Sequence, residues 1–221
     1  SFPSTAIPLP HNRIIYGAPG TGKSYLLKEQ MAGKRFNGAN TTNPTPLFAE
    51  TNYERVTFYP NYTYGQFFGT YKPKKAYKNM EPYITYEFVP GPFFRLLLRA
   101  LESKQQGQPE NFLLIIEEIN RANAAAVFGD VFQLLDRNDI GESEYGIKLS
   151  EDALQFISEN HAGLLSNDEL KIPDNFYIWT TMNNADQGVQ PLDSAFKRRF
   201  DFEYIGINDN ETEIQSIFVR L

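Results

Sequence analysis

Cysteine is absent from this 221-residue chain, and that absence removes disulfide frameworks, thiolate metal sites and cysteine nucleophiles together. Histidine is scarce: His11 and His161 are the only two, too few for a histidine-rich metal centre. Long apolar runs are missing as well. Runs such as residues 112–116, none longer than five, fall far short of the roughly 20 apolar residues that a membrane-spanning helix needs. The opening Ser1-Phe2-Pro3 lacks a charged-then-apolar leader pattern, so the expected location is the cytoplasm, with no membrane contact. Positive charge is not in excess either. Lys and Arg number 21 against 27 Asp and Glu, a formal net charge of −6, which is not the basic footprint of an autonomous DNA binder. Any contact with nucleic acid must then be local or delegated. What the chain does have is core material: 41% hydrophobic residues, with 18 Phe and 13 Tyr, enough for one domain of ordinary size.

Three prolines within residues 1–10 mark an extended lead-in or linker end, assigned to 1–12. Residues 13–16 form a β-prone run ending at Gly17, and 24–34 carry helix formers with Leu26, Leu27 and Met31 on apolar spacing. The stretch 36–46, rich in Asn, Thr, Gly and Pro, predicts a surface loop before a second strand at 55–59 and a short helix at 63–70. Residues 71–90, where Tyr83, Thr85 and Glu87 alternate with Ile84, Tyr86 and Phe88, predict a hairpin-like insertion. A helix is expected at 93–103, a strand buried on both faces at 112–116, and a helix at 124–135. A second insertion follows at 141–173, with a helix near 150–160, and then strands at 176–181 and 202–205. Phe93, Phe94 and Phe128 at helical spacing are expected in the core. This alternation predicts an α/β fold: a mostly parallel five-stranded sheet flanked by helices, with ligands at the carboxyl ends of the strands.

The motifs fall at those ends. Gly17-Ala18-Pro19-Gly20-Thr21-Gly22-Lys23-Ser24 fits G-x-x-x-x-G-K-[ST] in full and lies between a predicted strand and a predicted helix. Such a loop turns backbone N–H groups around phosphates at the positive end of a helix. Gly17, Pro19, Gly20, Thr21 and Gly22 are therefore expected to cradle the nucleotide, with Lys23 reaching the β- and γ-phosphates and the Ser24 hydroxyl offered to Mg2+. The buried run ending in Glu117-Glu118 can hold one acid to the magnesium shell and aim the next at the attacking water. Glu117 is the metal-side candidate and Glu118 the general base. At the end of the strand 176–181, an Asn can orient that water by a directional hydrogen bond without adding charge. In Phe196-Lys197-Arg198-Arg199-Phe200, the arginines can enter a neighbouring subunit's site. Each motif also has a plainer reading: strand ends solvated by acids, an Asn-Asn turn, a solvated basic turn. Their joint occurrence with the phosphate loop tips the balance.

Together, residues 17–24, Ile116-Glu117-Glu118-Ile119-Asn120-Arg121-Ala122-Asn123, Met182-Asn183-Asn184-Ala185-Asp186, Lys197-Arg198-Arg199-Phe200 and Tyr64-Gly65-Gln66-Phe67-Phe68-Gly69 resemble the McrB family. These are the AAA+ motor subunits of McrBC-type modification-dependent restriction systems. The resemblance spans about residues 13–205. It implies an AAA+ large subdomain at 13–207, a ring-forming homo-oligomer that is hexameric in the full-length protein, GTP or ATP as substrate with Mg2+, and DNA translocation alongside an McrC-like endonuclease subunit. It also implies that Asn183 is the first sensor, that Asn184 and Asp186 belong to the nucleotide-contacting signature, and that Arg198 and Arg199 act on the adjacent protomer. Two positions depart from the pattern: Asn184 stands for Thr, and Glu117 stands where many relatives have Asp. Residues 208–221 are read as the start of a link to a helical lid absent from this sequence, which leads one to expect feeble hydrolysis from this piece alone.

Two rival readings remain at this stage. A MoxR-like chaperone shares the sheet and the Asn-Arg-Ala after the acidic pair but remodels proteins. A nucleotide-dependent nucleic-acid module could use Tyr71-Lys72-Pro73-Lys74-Lys75-Ala76-Tyr77-Lys78, where cations interleave with aromatics. His11, just before the first strand, is expected to be exposed and without a role.

Overall fold

Period-two alternation in the apolar strands divides the core into two parts. In the computed structural model, which describes residues 7–36, 39–41, 44–107, 109–165, 167–184 and 191–206, Phe112, Leu114 and Ile116 face one side of the central sheet with Ile14, Phe176 and Ile178. Leu113 and Ile115 face the other with Ile15, Tyr177 and Trp179. All are buried, because helices cover both faces, and each large apolar side chain removed from water contributes about 1.5–3 kcal/mol.

The elements run β1 (Asn12–Gly17), α1 (Lys23–Met31), β2 (Arg35–Phe36), β3 (Ala39–Asn40), β4 (Tyr53–Thr57), α2 (Tyr64–Phe67), β5 (Gly69–Lys78), β6 (Glu81–Pro90), α3 (Pro92–Gln105), β7 (Phe112–Glu117), α4 (Ala124–Phe128), β8 (Ile147–Lys148), α5 (Glu151–Asn160), β9 (Glu169–Leu170), β10 (Phe176–Asn183), α6 (Ser194–Lys197) and β11 (Asp201–Ile205). Short 3-10 segments occupy Ile119–Arg121 and Gly129–Leu135. Five strands form one sheet in the order β11-β1-β10-β7-β4, every pairing parallel. Their carboxyl ends therefore share one edge. Leu26 and Leu27 of α1 pack on the Trp179 side, while α3 and α4 bury Phe93, Phe94, Leu97, Val127 and Phe128 on the opposite side. The expected core aromatics are in place. Among the described residues no helix is long and apolar enough to cross a membrane.

Arg13 is 2% exposed near the start of β1. Its guanidinium donates to Gln30 of α1 at 2.7 Å and, through Nε, to Glu203 of β11 at 2.9 Å. A buried cation is tolerated here because its donors are paired on two sides.

Two expectations need correction. The helix expected over 124–135 stops at Phe128: Gly129 has φ +50°, and a Cβ there would lie 2.9 Å from the Tyr64 ring, so close packing against α2 breaks the helix into a 3-10 segment. His11 is not exposed. It stacks on Tyr177 with ring centroids 4.5 Å apart, and its Nε2 lies 2.7 Å from the Asp174 carbonyl. The insertion at 71–90 is a hairpin as expected, with Asn79 and Met80 at φ 51° and 66° in its two-residue turn, the geometry of a type I′ turn. Its cations and aromatics are sorted only in part between the two faces, with Tyr83 on the lysine face and Lys75 on the aromatic one. The pairing puts Lys72, Lys74 and Lys78 on one face with Glu87 and Glu81, and Lys74 forms an ion pair with Glu87. Tyr71, Tyr77, Ile84, Tyr86 and Phe88 lie on the other face, with Lys75 placed over the Tyr77 ring at 5.2 Å.

Candidate active site

Gly20 and Gly22 adopt φ +81° and +85°, a region costly for residues with a Cβ, and Gly22 is the N-cap from which α1 starts. The loop is held from within: Thr21 Oγ1 donates to the Ala18 carbonyl at 3.0 Å. Pro19 and Gly20 are exposed at its tip. Lys23 is 7% exposed and folds back into the loop, its Nζ donating to the carbonyls of Gly17 at 3.2 Å and Ala18 at 2.8 Å. The ammonium thus occupies the cradle and satisfies itself on main-chain oxygens.

The sheet order brings the other motifs to this loop. Gly17 of β1 is the register partner of Asn183 in β10, and the Asn184 N–H donates to the Gly17 carbonyl at 3.2 Å. From β7, Glu117 Oε1 accepts from Ser24 Oγ at 3.2 Å and from Arg55 of β4 at 2.7 Å. The chain then turns sharply: Glu118 has φ +57°, strain of the kind that gathers at functional sites. Its N–H donates to Thr181 Oγ1 at 3.4 Å, and Asn183 Nδ2 donates to its Oε1 at 2.6 Å. Its Oε2 is buried and accepts no hydrogen bond from the described residues. Arg121 Nε stands 3.5 Å from that oxygen, within ion-pair range but outside hydrogen-bond geometry. Asn120 Nδ2 donates to the Asn183 carbonyl at 3.0 Å, bracing the same strand end.

The phosphate loop, both acids and Asn183 are therefore connected by hydrogen bonds at one edge. The Asn184 side chain is exposed there, and Asp186 lies outside the described residues. The donors beside the loop, Ser24 Oγ and Glu117 Oε1, are both oxygen, and among the described residues no group of three or more His, Cys, Asp or Glu could cage a metal alone. Such a set suits a hard divalent cation completed by phosphate oxygens and water.

Arg198 and Arg199 lie at the other end of the sheet, where β11 begins, and the structure separates them. Arg199 turns inward: it donates to Asp136 Oδ2 at 2.6 Å and to the Ala195 carbonyl at 3.0 Å, and lies over the Phe132 ring at 4.4 Å. Its side chain is 11% exposed. Arg198 is exposed; its N–H donates to the Ser194 carbonyl at 3.2 Å, but its side chain forms no hydrogen bond or ion pair with another described residue and lines an open recess of about 550 Å³ with Asp136, Asp139 and Glu144. Asn12 fixes the backbone between them and the sheet, its Nδ2 donating to the carbonyls of Leu135 and Arg199.

The sequence reasoning missed Thr181, Asn12 and Arg55. Thr181 and Asn12 adjoin motifs that were singled out, whereas Arg55 comes from another strand and has no local signal.

Residues 12–200 match the AAA domain (dynein-related subfamily). The chain is 48% identical over 226 residues to the type II restriction enzyme BsuMI component YdiS of Bacillus subtilis (strain 168), covering 94% of this chain. It is 30% identical over 199 residues, 86% of this chain, to the type IV methyl-directed restriction enzyme EcoKMcrB subunit of Escherichia coli (strain K12). It spans 61% and 34% of the lengths of these two relatives. A solved structure from Cytophaga hutchinsonii aligns over 93% of this chain and 44% of its own at 16% identity, with a TM-score of 0.48, too low to add to the argument.

Proposed function

The chain belongs to the AAA domain family, dynein-related subfamily, and from that premise we propose that it binds GTP or ATP with magnesium and hydrolyses it to power DNA translocation in an McrBC-like restriction system. Nucleotide hydrolysis is what an McrB-like AAA+ P-loop NTPase does. The finer reading draws on the site, and its main support is Glu118: one oxygen held by Asn183 at 2.6 Å, the other buried and open to a proton, at the edge shared with the phosphate loop.

In this reading Lys23 leaves the carbonyls of Gly17 and Ala18 and moves onto the β- and γ-phosphates, while the loop's amides hold the polyphosphate. Ser24 and Glu117 would hold magnesium. When bound, the ion neutralises phosphate charge and polarises the transferred group. Glu118 Oε2 takes the proton of the attacking water, while Asn183 keeps the carboxylate aimed and contacts the γ-phosphate side. Asn184 and Asp186 complete the nucleotide contacts. Arg198 reaches into the site of the next protomer in a hexameric ring, and Arg199 positions it. Both named relatives are restriction-enzyme components, which favours an McrC-like endonuclease and DNA as partners over protein remodelling.

A titration of labelled GTP and ATP with magnesium tests the site. Lys23→Ala should abolish binding, and Glu118→Gln should bind normally while turning over roughly 10²- to 10⁴-fold more slowly. Equal binding by Lys23→Ala would sink the assignment.

A further inference from the structure

The Glu117 carboxylate meets a cation supplied by another strand. Its Oε1 is shared between the Ser24 hydroxyl and the Arg55 guanidinium, at 3.2 and 2.7 Å. The register explains the meeting. Arg55 is paired with Ile115, whose side chain lies on the α1 side of the sheet, and Glu117, two residues on, shares that side. The edge strand β4 therefore sends a permanent positive charge past β7 to the first turn of α1. The pair is accessible, with side chains 40% and 23% exposed, so it can exchange partners.

We propose that Arg55 is a positioning residue for the metal-side carboxylate, and that it sets how much magnesium the site requires; this rests on the nucleotide reading above. The guanidinium acts in two opposed ways. It holds Glu117 Oε1 against Ser24, which keeps both oxygens together before nucleotide arrives. It also places a positive charge beside the oxygens that receive a divalent cation, so metal must bind against like-charge repulsion, while a polyphosphate is attracted to the same charge. Arg55 thus shifts the site toward nucleotide binding at low metal and raises the metal concentration needed to complete it. The Ser24–Glu117 contact alone would do neither.

The test is a fluorescence titration of the full chain with labelled GTP, first in EDTA and then against increasing MgCl2. Arg55→Gln, which removes the charge, should weaken binding in EDTA and lower the Mg2+ midpoint, each by roughly two- to fivefold, the scale of half-exposed charge interactions. Arg55→Lys keeps the charge and should recover most of both effects. An unchanged or raised midpoint in Arg55→Gln, with Lys23→Ala still unable to bind, would overturn the role of Arg55 and leave the nucleotide site standing. If Lys23→Ala bound like the parent, the site and this role would fall together.

Discussion

Replacing Arg198 and Arg199 one at a time by Ala should separate two jobs that adjacent, chemically identical residues perform. Arg199 is tied to Asp136 at 2.6 Å, to the Ala195 carbonyl at 3.0 Å and to the face of Phe132 at 4.4 Å. A hydrogen bond to a charged group contributes about 1.5–3 kcal/mol, and a partly desolvated cation–π contact about 1 kcal/mol. Asp136 is 38% exposed and can rehydrate once its partner leaves, which discounts the ion pair. The net loss in Arg199→Ala is therefore about 2–3 kcal/mol, a fall in melting temperature of roughly 4–12 °C for a domain of this size. Arg198 touches none of these groups, so Arg198→Ala should melt within about 2 °C of the parent. Its effect should appear in hydrolysis instead. At protein concentrations where parental turnover rises with assembly, Arg198→Ala should be slower by about 10³-fold, the scale of a lost trans-acting arginine. Scanning calorimetry and a phosphate-release assay read the two effects separately. An Arg199→Ala protein as stable as the parent, or an Arg198→Ala protein with parental turnover, would refute the division.

Two further outcomes concern stability. Met80 sits at φ 66° in the hairpin turn, where glycine is preferred; Met80→Gly should stabilise the hairpin by about 0.5–1 kcal/mol, seen as slower amide exchange along β5 and β6, and faster exchange would contradict the turn assignment. Burial lowers the pKa of His11 below 6.5, reinforced by Arg137 and opposed by the Asp174 carbonyl and carboxylate. The unfolded chain therefore binds this proton first: stability is full above about pH 6.5 and declines as pH falls toward the folded-state pKa. His11→Gln should flatten the melting-temperature profile between pH 7 and 5.5, and an unchanged slope would remove His11 from the acid response.

The phosphate loop could be read from the sequence because its chemistry is local: the amides that surround a polyphosphate belong to consecutive residues, and glycines must stand where φ is positive. The order of strands and helices was equally legible, since apolar periodicity and breakers act over short spans. Helix α4 was read too long because the close approach at Gly129, where a Cβ would meet the Tyr64 ring, involves a residue far away in sequence. The hairpin's faces were in principle readable by parity, yet which face would be charge-balanced depended on the partner strand's register. Arg198 and Arg199 look alike in sequence, and only the proximity of Asp136 and Phe132 decides that one turns in. The same holds for the acids. Glu117 meets Ser24 and Arg55, and Glu118 meets Asn183 and Thr181, because β10 and β7 lie between β1 and β4 in the sheet. Hydrogen bonds between residues more than 60 positions apart depend on that strand order, which no local pattern of side chains specifies.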